Sequence, residues 1–296
     1  MAFDLTALST YTDELSLELI AKAVLTTDLM NEIDVRSGLS AGTVAINLMD
    51  GDLNVADLAC GWNPNGDVNF SQVDITIAAK QVKMELCPED LRQYWLSQRM
   101  SAAADQDSVP FETVIAEYYV ERIKKYNEGF LINGDGTATG IKAQVTGANG
   151  ATVPAGAAAW TVANAVDQAL DLFDAIAEEV KDREDLIMMV SPANFQTLRR
   201  ALVAQNYFHY DQGDGRSLEL PGTNCKVVKT SGLVSSDYVA AGPAGFIVAG
   251  TGLEDDATSS MSFYYDRGED TVKFISKWRL GVAVHQVNVF ATNGLA

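Results

Sequence analysis

Tyr118–Ile141 reads YYVERIKKYNEGFLINGDGTATGI, and its two halves call for opposite backbones. From just upstream of this stretch, Phe111, Val114, Ile115, Tyr118, Ile123 and Tyr126 recur at helical spacing, while Glu112, Glu117, Glu121, Lys124 and Lys125 fall mainly elsewhere. That pattern predicts a long amphipathic helix of roughly 20 residues, about 30 Å by the helical rise. Its expected end is Glu128-Gly129, where glycine permits a left-handed stop. Asn133-Gly134-Asp135-Gly136-Thr137 follows and reads as a turn dictated by glycine. The same residues open like a calcium loop, but such a loop needs a bidentate Glu at its twelfth position, which is Gln144 here.

Toward the amino terminus, the chain alternates at Val73, Ile75 and Ile77 and again at Val82, Met84 and Leu86, with Asp74, Thr76, Lys83 and Glu85 between. Period two over both stretches predicts two strands paired with each other, each with one wet face. Ahead of them, residues 37–69 are rich in Gly, Asn and Asp, the chemistry of loop tips. Residues 1–40 show helical spacing only weakly, around Leu15, Leu19, Ala23 and Thr26, and read as an extended or partly helical arm. Cys87-Pro88-Glu89-Asp90 predicts a helix start running to about Met100, since Pro suits the first helical position and acids favour the positive end of the dipole. A polar break at 102–108 separates it from the long helix.

Beyond the turn, residues 143–166 carry no charge and read as a surface loop joining two subdomains, with a boundary near 145–162. A second helix is expected from Asn164, with Val166, Leu170, Phe173, Ala177 and Val180 on one face. Leu186–Val190 reads as a buried central strand, and Ser191-Pro192 as the cap and start of a third helix through Phe195, Leu198 and Leu202. The remainder is strand-rich, at 226–229, 238–241, 246–249, 261–265, 271–276 and 282–290. Helices and strands without a regular βαβ repeat predict an α+β fold.

Composition narrows the function. The 296 residues are 47% hydrophobic, enough for a sizeable core. Twenty-one Lys and Arg stand against 40 Asp and Glu, a net charge of -19, which disfavours gripping phosphate without regard to sequence. Cys60, Cys87 and Cys225 are odd in number and widely spaced, so buried free thiols in a reducing cytoplasm are expected rather than a disulfide framework or a zinc site. Asp4, with no basic residue before Lys22, argues against a signal peptide. The apolar span Val239–Leu253 is too short and too broken by Gly242, Pro243, Gly245 and Gly250 to cross a bilayer, so no membrane partner is expected.

No catalytic, cofactor-binding or metal-ligating residue stands out. No glycine cluster is followed by the Lys and Ser or Thr of a phosphate loop, and no G-x-S-x-G elbow occurs. His209 and His285 are far apart and lack a nearby C-x-x-C, and His285 in a β-branched setting reads as structural. Asp211-Gln212-Gly213-Asp214-Gly215 reads as a hairpin tip, and Glu254-Asp255-Asp256 and Glu269-Asp270 as solvated loops.

The order of pieces, an arm, a turn-rich insertion ending in a ribbon, a long helix, a G-D-G turn, a mixed subdomain and a strand-rich return, resembles the HK97-fold major capsid proteins of tailed bacteriophages. Tyr118–Ile141 is similar to the family's spine helix and its "nGDGt...GI" turn. Ile187–Phe195 with Leu198-Arg199 is similar to the strand, proline and helix of its axial domain, and Lys277-Trp278-Arg279-Leu280-Gly281-Val282 to its terminal segment.

The resemblance implies an α+β fold divided into an N-arm at 1–40 and an E-loop ribbon at 41–86. A peripheral domain with the spine helix would occupy 87–159, mainly axial domain 160–255, and completing strands 256–296. It implies a non-enzymatic subunit that assembles as hexamers and pentamers into an icosahedral shell around double-stranded DNA. Its partners would be copies of itself, a portal, a separate scaffolding protein and possible decoration proteins, with packaged DNA nearby but not read by sequence. The location would be the virion, after assembly in the host bacterial cytoplasm. Some members crosslink a Lys to an Asn between subunits, and nothing singles out Lys80 or Lys83 for that role. Three alternatives stay open. One is an encapsulin, a nanocompartment of the same fold that encloses cargo. Another is an acidic hydrolase or sugar-binding domain using Trp62 or Trp160 as a stacking platform. The third is a decoration or tail-tube protein, which would not explain the long helix and its turn.

Overall fold

The structure, a computed structural model, describes residues 29–52, 67–87, 111–205, 217–252, 261–266, 268–269 and 271–295. Two sheets and one long helix organise them. The first sheet contains β1 (Asp34–Arg36), β2 (Gly42–Asp52), β3 (Asp67–Leu86), β8 (Ile247–Thr251), β9 (Met261–Asp266) and β10 (Thr271–Val284). The second contains β4 (Leu186–Val190), β5 (Ser217–Glu219), β6 (Lys226–Lys229), β7 (Ala240–Pro243) and β11 (Ala291–Thr292). The helices are α1 (Phe111–Asn133), α2 (Ile141–Gln144), α3 (Ala165–Asp174) and α4 (Pro192–Ala204). Strands and helices are interspersed as the α+β reading requires.

In the first sheet the order is β1-β8-β10-β3-β2, with β9 also on β10. Strand β10 is the hub: Val272–Leu280 pairs antiparallel with β3, Thr271–Ser276 with β9 and Leu280–Val284 with β8. Strand β3 divides likewise, with Asp67–Ile77 paired to β2 and Ala78–Leu86 to β10. Here the structure corrects the expectation that 73–77 and 82–86 pair with each other. They are halves of one 20-residue strand. The link Ala78-Ala79-Lys80-Gln81 contains no turn-forming residue, so the chain runs straight through. What changes is the face. Ile75 and Ile77 are buried in the first half and Ala78 in the second, so the inward parity flips where β3 exchanges partners.

The second sheet runs β11-β7-β4-β6-β5, with β4 central, parallel to β6 and antiparallel to β7. All five residues of β4 are buried, as a continuous apolar run covered on both faces demands. Ser191 caps α4, its Oγ accepting the Asn194 N–H at 3.2 Å, with Pro192 in the first turn. Helices α3 and α4 bury Val166, Ala169, Leu172, Phe195, Leu198 and Leu202 in a core that continues under the first sheet to Phe274 and Leu280.

Four further expectations change. Helix α1 does not stop at Gly129 but runs to Asn133, because Phe130, Leu131 and Ile132 are all buried and reward another turn. Residues 143–166 are not a loose surface loop: Val145, Ala151 and Trp160 are buried, and Thr152 exchanges backbone hydrogen bonds of 2.9 Å with Phe290 and Thr292. The lack of charge that suggested a loop is what allows this burial. Strand β10 passes through Gly281 without a break, since an added Cβ there would lie 2.4 Å from the Thr76 carbonyl oxygen and only glycine allows that approach. Strand β2 occupies part of the stretch read as loop tips, its alternating Val44, Ile46 and Leu48 outweighing the glycines around it. The helix expected at 87–100, and residues 1–28 of the arm, lie outside the described residues; its end does not, for Leu29, Met30 and Ile33 are buried and β1 pairs parallel with β8.

Close packing of Gly242 on Phe290 gives a direct test of the core. An added Cβ at Gly242 would sit 2.2 Å from Phe290 Cδ1. Gly242→Ala should cost about 1–3 kcal/mol by overpacking, and Phe290→Ala about 3–5 kcal/mol as a cavity. In urea denaturation the double variant should be clearly more stable than the sum of the two losses, because the vacated space receives the new methyl.

Candidate assembly surface and its anchor

The conspicuous exposed feature is the ribbon of β2 and β3. Pairing places Val44 opposite Ile75, Ile46 opposite Val73 and Leu48 opposite Ser71 on one face. Ile46, Ile75 and Ile77 join Val248 and Ala283 in a small separate core where the ribbon leaves the sheet. The opposite face pairs Thr43 with Thr76, Ala45 with Asp74, Asn47 with Gln72 and Met49 with Phe70. Gln72 Nε2 donates to Asn47 Oδ1 at 2.8 Å, so this face is polar until the last of these pairs. Met49 and Phe70 then stand side by side, 73% and 77% exposed. Two large apolar side chains opposite one another in water stabilise little within the subunit.

The ribbon is anchored at the G-D-G turn. Helix α1 ends as Gly134 takes φ +71° and donates its N–H to Phe130 O at 2.8 Å. Asp135 Oδ1 accepts the N–H groups of Thr137 (3.1 Å) and Ala138 (3.3 Å), closing the turn locally. Its carboxylate also pairs with Lys80 on β3, and the Lys80 ammonium lies 5.1 Å from the Phe130 ring centre. Lys80 therefore ties the end of α1 to β3 two residues past the point where β3 changes partner. Hydrogen bonding from Lys80 first, then from the Thr137 and Ala138 N–H groups, holds the Asp135 carboxyl below its ordinary range against a smaller opposing effect of burial.

Gln144 completes the junction. Its Nε2 donates to Thr139 O at 3.0 Å and Val282 O at 3.1 Å, and its Oε1 accepts the Val284 N–H at 2.8 Å. The residue at the twelfth position of the would-be calcium loop is thus a bracket between the turn and β10. Asn133 Nδ2, at the loop's first position, donates to Gly232 O at 2.7 Å. These bonds are what a structural corner needs. Among the described residues no group of three or more His, Cys, Asp or Glu converges as a metal site would require.

Other sequence candidates scatter. His285 follows β10, buried, its backbone N–H bonded to Phe246 O at 2.8 Å. Trp160 is buried, which removes it as an exposed stacking platform. Lys83 is exposed on β3 and Lys80 is engaged at the corner. Glu269 pairs with Lys273, which also bonds Asp266 at 2.7 Å across the β9–β10 hairpin. Cys225 is buried and its thiol is pushed up to about 12 by burial, whereas Cys87 is exposed, contrary to the expectation that all thiols are buried. Cys87 follows directly after β3. Trp62, Cys60, His209, 211–215, 254–256 and Asp270 lie outside the described residues. No helix among the described residues is long and apolar enough to cross a membrane. Sequence reasoning missed the Met49–Phe70 pair; the alternation of 44–48 was its available signal.

The anchor makes a measurable contribution. Asp135→Ala removes a partly exposed ion pair and two local hydrogen bonds to its Oδ1, and should cost about 1–2 kcal/mol in urea denaturation. A lowered carboxyl contributes fully above its ordinary value of 3.8 and loses its contribution as pH falls below it. The stability gap between the native protein and Asp135→Asn should therefore be flat near neutrality and close on acidification below that value.

No protein-family model and no curated protein sequence matches the chain. Solved structures do. The capsid of the native GTA particle matches with a TM-score of 0.54 at 15% identity, covering 92% of this chain and 89% of that one. A structure of Gordonia phage Cozz matches with a TM-score of 0.61 at 8% identity, covering 90% and 85%. The virus-like particle from Pyrococcus furiosus matches with a TM-score of 0.54 at 13% identity, covering 95% and 98%. Identities this low speak for shape alone, and the shape agrees along nearly the whole of each chain. The chain has the α+β, HK97-like fold of phage capsid subunits.

Proposed function

We propose that this chain is the major capsid protein of a tailed bacteriophage, a shell-building subunit that assembles as hexamers and pentamers around double-stranded DNA. The observation that carries the reading is the shared fold over about nine-tenths of the chain. On this reading residues 1–40 are the N-arm and 41–86 the E-loop, whose described part is the β2–β3 ribbon. Residues 87–159 with α1 form the peripheral domain, 160–255 mainly the axial domain, and 256–296 the strands that complete both. The last assignment is supported by β10 lying in one sheet and β11 in the other.

A shell closes through many repeated contacts, and an extended ribbon lying on a neighbour buries more area than a compact domain could offer. The exposed Met49–Phe70 pair suits such a contact. A net charge of -19 suits a wall that encloses DNA without binding it. A portal, a separate scaffolding protein and decoration proteins are the partners this role calls for, in the virion and in the host cytoplasm where it assembles. A second reading, a cellular compartment of encapsulin type, is compatible with the match to the virus-like particle from Pyrococcus furiosus, which covers 98% of that chain.

Expression of the chain alone and with its neighbouring genes, followed by gradient sizing and electron microscopy, tests both. Closed icosahedral shells or isolated hexamers and pentamers are expected; packaged DNA distinguishes the phage role from protein cargo, and a uniform monomer under all conditions would exclude both. Phe70→Asp should leave the subunit folded, because its ring is exposed, and lower the yield of closed shells on the order of tenfold, the effect of about 1.4 kcal/mol lost per contact.

A further inference from the structure

Helix α1 covers one face of the β3–β10 pair, and the other face is open. Phe274, Ser276 and Trp278 are buried on the covered side, where Tyr119 and Tyr126 of α1 meet Phe274 and Trp278. Strand alternation therefore brings Lys273, Ile275, Lys277 and Arg279 to the open side, opposite Glu85, Lys83, Gln81 and Ala79 in turn. Lys83 and Lys277 are exposed diagonal neighbours, about 7–8 Å apart at the backbone. Neither makes an ion pair among the described residues, whereas Lys273 is matched by Asp266 and Glu269. Glu85 stands opposite Lys273 and bonds neither of the two free lysines. Lys124 and Lys125 on α1 differ, for Glu121 lies one turn before them on the same helix.

The ribbon has the opposite character. Residues 37–79 carry Asp50, Asp52, Asp57, Asp67 and Asp74 and no Lys or Arg. The β2–β3 register sets Asp52 directly opposite Asp67. Like charges in that arrangement destabilise a strand pair unless a cation is brought to them. The ribbon's own sheet is out of reach. Asp67–Leu86 is one unbroken strand, and from Asp67 to Lys83 it extends about 50 Å. A cation for the ribbon must come from another molecule, and a partner with an acidic segment is what the lysines of the open face call for.

We propose that the open face of β3–β10 is the seat for the acidic ribbon of a second copy, with Lys83 and Lys277 supplying the cations that the ribbon lacks. Such a contact is head-to-tail, ribbon on one side and sheet on the other, so it passes from copy to copy instead of stopping at a pair. Complementary charge fixes orientation and register more than it adds affinity. The two lysines thus decide where a ribbon settles, while apolar burial supplies the strength of the contact. This seat rests on the shell reading for the closing of the ring.

Charge exchange in the full-length chain tests the seat, with closed shells counted on gradients and by electron microscopy. Lys83→Glu with Lys277→Glu should lower the yield at least about tenfold and leave the urea midpoint of the subunit unchanged, since both side chains are exposed and unpaired. Asp52→Lys with Asp67→Lys should lower it as much. The chain carrying all four changes, in which acid and base have traded places, should recover most of the native yield. Native yield from either double variant, or no recovery in the fourfold one, overturns the proposal; shells of native yield that have lost only their DNA overturn it too and assign the face to DNA. Should a double variant not fold, Lys83→Gln with Lys277→Gln should still lower the yield about threefold, and an unchanged yield there overturns the seat. A native chain that forms no shells under any condition defeats the shell reading and the seat together, whereas native shells indifferent to these changes defeat the seat alone.

Discussion

The pairing of β3 with β10 is the constraint on which the rest of the molecule depends. Val272–Leu280 meets Ala78–Leu86 residue for residue, and the other large pieces of the first sheet are placed from one of these two strands. Beyond Ala78, β3 continues outward as half of the ribbon, and beyond Leu280, β10 continues inward to hold β8 and, through it, β1. Helix α1 lies along the same pair, with Tyr119 stacked on Phe274 at 5.3 Å and Tyr126 edge-on to Trp278 at 6.1 Å. These aromatic contacts fix the helix against the strand, and the turn after it then reaches Lys80.

The parity flip in β3 follows from this arrangement. A strand that serves one core along its whole length keeps one face inward; β3 serves two. Its first half buries Ile75 and Ile77 in the small cluster with Ile46, Val248 and Ala283, and its second half turns Ala78 into the main core. At the exchange point Gly281 lets β10 approach the Thr76 carbonyl, and the Asp135–Lys80 pair binds the G-D-G turn to the strand. The turn is therefore compact for a reason beyond local geometry. A Cβ on Gly140 would lie 2.3 Å from Ile132 O, so the returning chain passes directly against the helix end.

This explains what the sequence displayed and what it hid. Local chemistry was legible: the G-D-G turn, the capped start of α4 at Ser191-Pro192 and the continuous apolar run of β4 each rest on residues a few positions apart. Decisions made by distant partners were not. Whether 73–77 pairs with 82–86 or with 42–52 depends on where the chain turns, and the glycines and asparagines of 37–69 hid the alternation of Val44, Ile46 and Leu48 that identifies the true partner. Gly129 and Gly281 both look like stops, yet one lies within α1 and the other within β10 because tertiary packing outweighs the cost of about 1 kcal/mol for a glycine inside an element. The Met49–Phe70 pair belongs to the same class: neither residue is unusual alone, and only the register sets them side by side.

The charge distribution bears on how copies of such a chain could meet. Several described cations are engaged within the subunit: Lys80 with Asp135, Lys226 with Glu32, Lys273 with Asp266 and Glu269, and Arg183 with Asp185. With 40 acids against 21 bases, what remains for the outer surface is predominantly negative. Two like-charged subunits repel weakly over distances beyond about 8 Å in physiological salt, where screening is effective, and more strongly at contact. Association in the proposed shell must then come from short-range burial where charge is sparse, and the outer face of the ribbon is such a place. Of its four described pairs only Ala45–Asp74 includes a charge, and the pair farthest from it is Met49–Phe70. Repetition around the proposed shell would multiply a contact that is weak alone.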